Sequence, residues 1–344
     1  EKKLPADERN RVELATNCLL VRGGAFTALV ETGLGSKWDA KAREIYAVDE
    51  STTVERGLTD LGVKPGDVDL VVVSHLHFDH AGGATRVEGG HAVPAFPNAT
   101  LYVQAAELAH AREPHERDRA SYRPEDWEPY ADAGRLATVE GEVELAPGLT
   151  VVPVRGHNAG MQAIRIESEG RVLFYFADAV PTTAHVAIPW IMAYDLYPVD
   201  LIENKKRLIA RAVAERWLCV FEHDRSVPIG RIGTAGAPVG AERPGGPAAR
   251  IHDILHSNAT LGPLFVLVLA VVIFSLAARK AGKNPPKSPI ASENASPPRT
   301  SGGVMRKLKR ISENVRKFIV PVGFVITRLK STKASAVSDS SNSG

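Results

Sequence analysis

Residues 75–83, HLHFDHAGG, follow directly on the largely apolar run 68–73, VDLVVV, and one serine. The chain has 11 histidines in 344 residues, and three of them stand here within six positions. At that frequency H-x-H-x-D-H arises by accident in about one such chain in a thousand, so a polar loop that merely collects histidines is a poor account of it. The spacing has a chemical reading. His75 and His77, two apart at a strand's end, project the same way and can share one metal ion. Asp79 and His80, one turn further on, can serve a second.

Outward from this motif the pattern is mixed α/β. Residues 19–33, LLVRGGAFTALVETG, read as two strands around Arg22-Gly23-Gly24, ending at Gly33. Residues 49–63 place Val54, Leu58 and Leu61 on one helical face and stop at Gly62. Pro65-Gly66 then turns the chain into 68–73, a strand apolar enough to be covered on both faces. Residues 100–104 read as a strand and 105–112 as a short helix; 149–157, LTVVPVRGH, is a strand ending in histidine. A hairpin over 162–178 turns at Ser168-Glu169-Gly170. An amphipathic helix over 199–218 carries Leu201, Leu208, Ile209 and Val213, and 219–224, CVFEHD, is the final core strand. Cys18 and Cys219 lie in apolar, strand-like surroundings and read as buried free thiols.

The net charge of +2 averages a near-neutral body and a tail, from about residue 280, in which Lys and Arg outnumber acids. Nothing in the body suggests a nucleic-acid surface, so the expected partner is a small-molecule substrate. Residues 1–240 are expected to form the catalytic domain and 241–260 a linker rich in Gly, Pro and Ala. Residues 261–278, LGPLFVLVLAVVIFSLAA, carry no charge and read as a transmembrane helix, the alternative being a buried helix of a second domain. Residues 279–344 read as a basic, largely disordered tail. Arg279, Lys280 and Lys283 would keep that tail on the cytoplasmic side of a membrane and put the body outside, an orientation that needs an export signal. Beginning at Glu1 with no export signal ahead of it, the chain reads as processed or a fragment. The catalytic body is therefore expected to be soluble and cytoplasmic, attached to a membrane at most through 261–278.

Three further candidate ligands, His157, Asp178 and His223, each end a predicted strand. Each is weak alone. With the motif they make a set gathered where core strands end and loops converge. Five histidines and two aspartates suit a borderline ion such as Zn²⁺ and offer too few oxygens for Ca²⁺.

H-x-H-x-D-H-x-G-G, then GHNAG, a strand-end aspartate and the histidine of EHD together resemble the metallo-β-lactamase fold hydrolases, over residues 14–232. The resemblance implies an α/β fold, an αβ/βα sandwich with a dinuclear site at one edge, followed here by a C-terminal tail outside the core. It implies two Zn²⁺ ions: His75, His77 and His157 on the first, Asp79, His80 and His223 on the second, and Asp178 bridging them. His77 stands where the oxygen-reducing di-iron branch usually has a glutamate, which argues against that branch. The family commonly opens with one or two more strands than residues 1–11 can supply, leaving the completeness of the first sheet open.

Paired zinc ions lower the pKa of a shared water toward roughly 7, and Asp79 can orient that water and carry its proton to the leaving group. No G-x-S-x-G elbow competes with this reading. NCLLVRGG and ETGLGSK upstream resemble the lactonase-like branch. Lactonases of that branch typically carry a tyrosine three residues after the bridging aspartate, where this chain has Pro181. Tyr194 is the candidate to replace it as a donor to the substrate carbonyl; the alternative is a packing role beside Trp190, and Tyr197 lies further on. His185 reads as a support to the ligands or an ordinary loop histidine. The aromatic, apolar loop 181–198 favours an ester-like substrate over a phosphodiester. The expected function is a zinc-dependent hydrolase of a lactone, ester or thioester. The alternatives are a mononuclear iron sulfur dioxygenase and a non-catalytic, membrane-attached binding module of the same fold. The complete ligand set counts against both.

Overall fold

The structure, a computed structural model, describes residues 4–233 and the backbone of 265–266 and 326–332. Strands β1 (Arg11–Asn17), β2 (Leu19–Gly23) and β3 (Thr27–Val30) lead into helices α1 (Ala40–Tyr46) and α2 (Val54–Asp60). Strand β4 (Leu70–Val72) runs into the short helix α3 (Phe78–Ala81), followed by the hairpin β5 (Thr85–Glu88) and β6 (His91–Pro94). Next come β7 (Thr100–Gln104), α4 (Ala105–Arg112), α5 (Glu128–Asp132) and β8 (Leu136–Val139). The second half holds β9 (Val143–Ala146), β10 (Leu149–Pro153), β11 (Gln162–Ser168), β12 (Arg171–Tyr175), α6 (Pro198–Ala214), β13 (Leu218–Val220) and β14 (Ile229–Gly230). Two strands lie further on, β15 (Phe265–Val266) and β16 (Ile326–Thr332).

Two six-stranded sheets result, in the orders β15-β2-β3-β4-β7-β8 and β14-β13-β12-β11-β10-β9. In the first, β3, β4, β7 and β8 run parallel; in the second, only β12 and β13 do. Both faces of β4 are covered, as its apolar run requires: Val71, Val72 and Val73 are buried with Leu149, Val151, Ile164 and Phe174 of the second sheet in one core. Gln162 joins the sheets with its backbone N–H donating to Ser74 O (2.9 Å) and its Nε2 to Val73 O (2.8 Å). That pair of bonds ties β11 to the segment that enters the histidine motif.

Most elements form where the pattern placed them. Helix α6 buries Leu201 and Leu208, and the hairpin β11–β12 turns through Glu169 and Gly170, both at positive φ. Cys18 and Cys219 are buried and free. Strand β4 covers only 70–72 of the run 68–73, and just ahead of it the Asp69 carboxylate accepts from Thr27 N (2.8 Å). Strands β10 and β13 also end early, so His157 and His223 stand in loops three or four residues past them. At the first, Gly156 packs so tightly that a Cβ there would lie 2.6 Å from Leu201 Cβ, and Gly156 N–H donates to Asn158 O in a tight turn.

Strand β1 lies ahead of the two strands expected over 19–33. It joins the second half of the chain, its Ala15 and Asn17 N–H groups donating to His223 O and Glu222 O. Its other edge pairs antiparallel with β16, from Arg11↔Thr332 to Asn17↔Ile326, so the stretch expected to be largely disordered contributes extended backbone at 326–332. Of the apolar run 261–278, only the backbone of Phe265–Val266 is described, as a strand paired with β2; the remainder lies outside the described residues. Among the described residues no helix is long and apolar enough to cross a membrane.

Candidate metal centre

The sandwich presents the ends of β3, β4, β10, β12 and β13 along one edge, and the histidine motif begins where β4 stops. Glu31, at the end of β3 with φ 63°, accepts from Ser74 N on Oε1 (2.7 Å). Ala177, beside Asp178, is also left-handed at φ 48°. Two non-glycine residues held at positive φ within this edge are the kind of strain that collects at working sites. The glycines that close the motif have a packing reason. A Cβ on Gly82 would lie 2.4 Å from Leu34 O, and one on Gly83 would lie 2.2 Å from Thr32 O. Only bare backbone lets α3 settle against the loop after β3, where Thr32 N–H also donates to His80 O (2.9 Å).

Two buried donor groups adjoin here. In the first, His75, His77 and His157 each offer a ring nitrogen, all within 4.8 Å of one another. His75 Nε2 and His157 Nε2 lie 2.9 and 3.1 Å from His77 Nδ1. The second gathers His80, Asp178, Glu222 and His223 within the same limit. Asp178 Oδ2 faces both groups, 3.2 Å from His157 Nε2 and 3.6 Å from His80 Nε2. Asp79 stands at the rim, 21% exposed, with its oxygens 3.7 Å from His80 Nε2 and 3.8 Å from His223 Nε2. Nitrogen and oxygen donors on one tetrahedral Zn²⁺ are about 3.3 Å apart, and the spacings here bracket that value. Among the described residues His80 Nε2 is buried without a hydrogen-bond partner. The residues fit a bound divalent ion in both groups.

Each histidine is oriented from behind. His157 Nδ1 pairs with Asp195 Oδ1 (2.9 Å), His223 Nδ1 with Ala15 O (2.7 Å), and His75 Nδ1 with Ser74 Oγ (2.9 Å). His80 Nδ1 faces Glu222 Oε1 (3.0 Å) and Glu31 Oε2 (3.4 Å). Glu222 therefore has a different place from the other members of its group: it backs His80 on the side away from Asp79 and Asp178, as the outer carboxylate of a carboxylate–histidine–metal relay does. Glu107, fully buried on α4, accepts from Leu76 N (2.9 Å) and Tyr122 OH (3.0 Å). Because Leu76 lies between His75 and His77, that carboxylate pins the motif's backbone.

The electrostatics call for positive charge. Burial, with His80 and His157 nearby, pushes His75 and His77 well below the usual imidazole range, so both are neutral and free to ligate. Burial would lower His223 too, but Asp178, Glu222 and Asp79 outweigh it and raise it to about 10. His80 rises well above its usual value against the same burial, through Glu222, Asp79 and Glu31. Burial and the Glu31 charge push Glu222 up to about 7. A divalent ion held between the two groups would answer these carboxylates.

Tyr194 reaches this site. Its ring meets the His157 ring edge-on at 5.9 Å between centroids. Desolvation of the hydroxyl, followed by the charges of Asp178, Asp79 and Asp195, holds its pKa well up, while the residue stays 41% exposed overall. Tyr197 instead lies under the Arg155 guanidinium, 3.5 Å from ring centroid to Cζ. His185 Nδ1 pairs with Thr182 Oγ1 (2.8 Å), a loop contact outside both donor groups. The loop carrying Tyr194 and Asp195 is tied to α6 by Lys205, whose Nζ donates to Ala187 O (3.0 Å) and Trp190 O (2.6 Å). Sequence reasoning passed over Glu31, Glu222, Glu107, Asp195 and Lys205. Glu222 alone had a local signal, its place directly before His223.

A mixed α/β sandwich with two adjoining buried histidine–carboxylate groups at one edge defines a class of metal-site proteins. The profile of the metallo-beta-lactamase superfamily matches residues 11–223, and the chain belongs to that superfamily. An N-acyl homoserine lactonase of Bacillus thuringiensis is 33% identical over 202 residues, 58% of this chain and 72% of that protein. One from Bacillus cereus is 29% identical over 170 residues, which are 46% of this chain and 61% of the lactonase, so this match spans less than two thirds of its relative. The crystal structure of a probable metal-dependent hydrolase from Staphylococcus aureus superposes with a TM-score of 0.65 at 30% identity, covering 70% of this chain and 85% of the other.

Proposed function

We propose that this protein is a metal-dependent hydrolase that holds two Zn²⁺ ions and opens a lactone, ester or thioester, with residues 1–240 as the catalytic unit. The observation that carries the reading is the pair of adjoining buried donor groups sharing Asp178. His75, His77 and His157 would hold one ion; His80, His223 and Asp79 the other, with Asp178 between them. The ions, when bound, would supply a water of lowered pKa and polarise the substrate carbonyl. Asp79 orients the attacking water, keeps its proton on the carboxylate and delivers it to the leaving oxygen or sulfur as the acyl bond breaks. The Tyr194 hydroxyl donates to the carbonyl oxygen as negative charge grows on it. Asp195 and Glu222 keep His157 and His80 aimed from behind. The lactonase relatives favour a lactone, and a single-ion dioxygenase would leave the second donor group, with His80, Asp178 and His223, without a role.

The full chain, expressed with zinc and analysed for metals, is expected to carry about two zinc ions per molecule and to turn over members of a lactone, ester and thioester panel. Asp79→Asn should cost about 10²–10⁴-fold in turnover with the fold retained. One iron per chain, or near-normal activity in that variant, would overturn the reading.

A further inference from the structure

Phe78, between His77 and Asp79 in the motif, packs its ring into an aromatic cluster with Trp38 and Tyr46. Its centroid lies 5.4 Å from Trp38 and 5.2 Å from Tyr46, and Trp38 and Tyr46 are 5.6 Å apart. Arg123 lies over this platform, its Cζ 4.1 Å from the Trp38 ring and 5.1 Å from the Phe78 ring. Its backbone neighbour Tyr122 bridges His77, which fixes the arginine beside the motif. Arg123 is half-buried, and among the described residues its guanidinium has no carboxylate within 4.0 Å and no hydrogen bond. Asp126, three residues on, is already paired with Lys37 at 2.9 Å. The Tyr46 hydroxyl likewise has no hydrogen-bond partner among the described residues. The Tyr46 ring packs against both Trp38 and Phe78, the two rings that Arg123 covers, so the phenol and the guanidinium share one aromatic platform.

Stacking covers the flat faces of a guanidinium and leaves its N–H fork exposed. A fork of that kind matches a carboxylate bidentately. We propose that Arg123, with the Tyr46 hydroxyl, forms an anchor for a carboxylate that the substrate bears away from the bond being cut. The inference rests on the hydrolase reading for the word substrate; the anchor itself is a property of these residues. A neutral acyl lactone would leave Arg123 without a partner, so the preferred substrate is an acid-bearing lactone or ester.

Calorimetric titration of the full chain with butyrate, succinate, glutarate and adipate tests this. Each ligand has one carboxylate for the metal centre, and only the diacids have a second for Arg123. At least one diacid should bind tenfold or more tightly than butyrate. In Arg123→Met the advantage should shrink to within about twofold, and Arg123→Lys should keep part of it, since charge remains and the fork is lost. Tyr46→Phe should lower it by a few-fold. Arg123→Gln, similar in size and polar, provides a second loss-of-charge variant should the methionine variant not fold. Equal binding of butyrate and all diacids by the wild type, or an advantage that survives loss of the arginine, would overturn the anchor. Metal content is measured on the same samples. An Arg123-dependent diacid preference without bound metal would sink the hydrolase reading and leave the anchor standing, and two metals without a preference would do the reverse.

Discussion

Replacing Lys205 with methionine should change how stability responds to pH more than it changes stability at pH 7. The side chain is fully buried on α6, and its ammonium donates to Ala187 O and Trp190 O at 3.0 and 2.6 Å. Burial lowers its pKa from the ordinary 10.5 to about 8, with Asp195 pulling the other way. The unfolded chain therefore binds more protons than the folded one between about pH 8 and 10.5, and stability from this group rises with pH across that window. The gap between 10.5 and about 8 corresponds to a penalty of about 3 kcal/mol, fully present below pH 8 and gone above 10.5. Methionine removes the penalty but leaves two carbonyls without their donor, at a cost of about 1–3 kcal/mol each. At pH 7 the two effects largely offset, and the variant should lie within about 3 kcal/mol of the wild type. By pH 10 the wild type regains about 2–3 kcal/mol that the variant cannot, so the variant falls behind by that much more. Urea unfolding of both proteins from pH 7 to 10, followed by tryptophan fluorescence, measures the difference, and other groups titrating there cancel between them. Curves that stay parallel across the range would refute the argument. Since the same ammonium holds the loop carrying Tyr194, the variant should also show a raised KM with metal content unchanged.

Tyr194→Phe should reduce kcat/KM on a lactone by about tenfold or more, the scale of one donor to a developing oxyanion. Tyr197→Phe, whose ring is covered by Arg155, should do little, and equal small losses in both would leave the site without its donor. Glu222→Gln should weaken the second metal site about 10–100-fold in a chelator-competition assay, because His80 loses the carboxylate behind it; unchanged affinity would place the orienting role on Glu31 alone. Gly82→Ala should destabilise the fold by about 1–3 kcal/mol in urea, because its methyl meets Leu34 O, whereas the same change at the open, exposed Gly24 should be nearly neutral.

HLHFDHAGG carries its meaning locally. Donor side chains within six positions, at the end of a strand and the start of a helix, are brought together by local backbone geometry, so the juxtaposition of His75, His77, Asp79 and His80 was legible without any tertiary contact. His157, Asp178 and His223 were legible as a repeated setting, polar residues just past apolar strands, even though two of those strands stop several residues early. The superfamily follows from those seven residues together. Other parts of the site depend on contacts between distant segments. Glu31 and Glu222 meet behind His80 from the ends of β3 and β13, Glu107 reaches Leu76 from α4, and β1 offers Ala15 O to His223 across more than two hundred residues. Arg123 and Tyr46 had no periodic signal of any kind, one in a loop and the other at the end of a short helix. A spacing rule records which side chains share a face of one element. Which face of another element they meet is decided by how two sheets and their helices pack, a sum over the whole core that no local stretch contains.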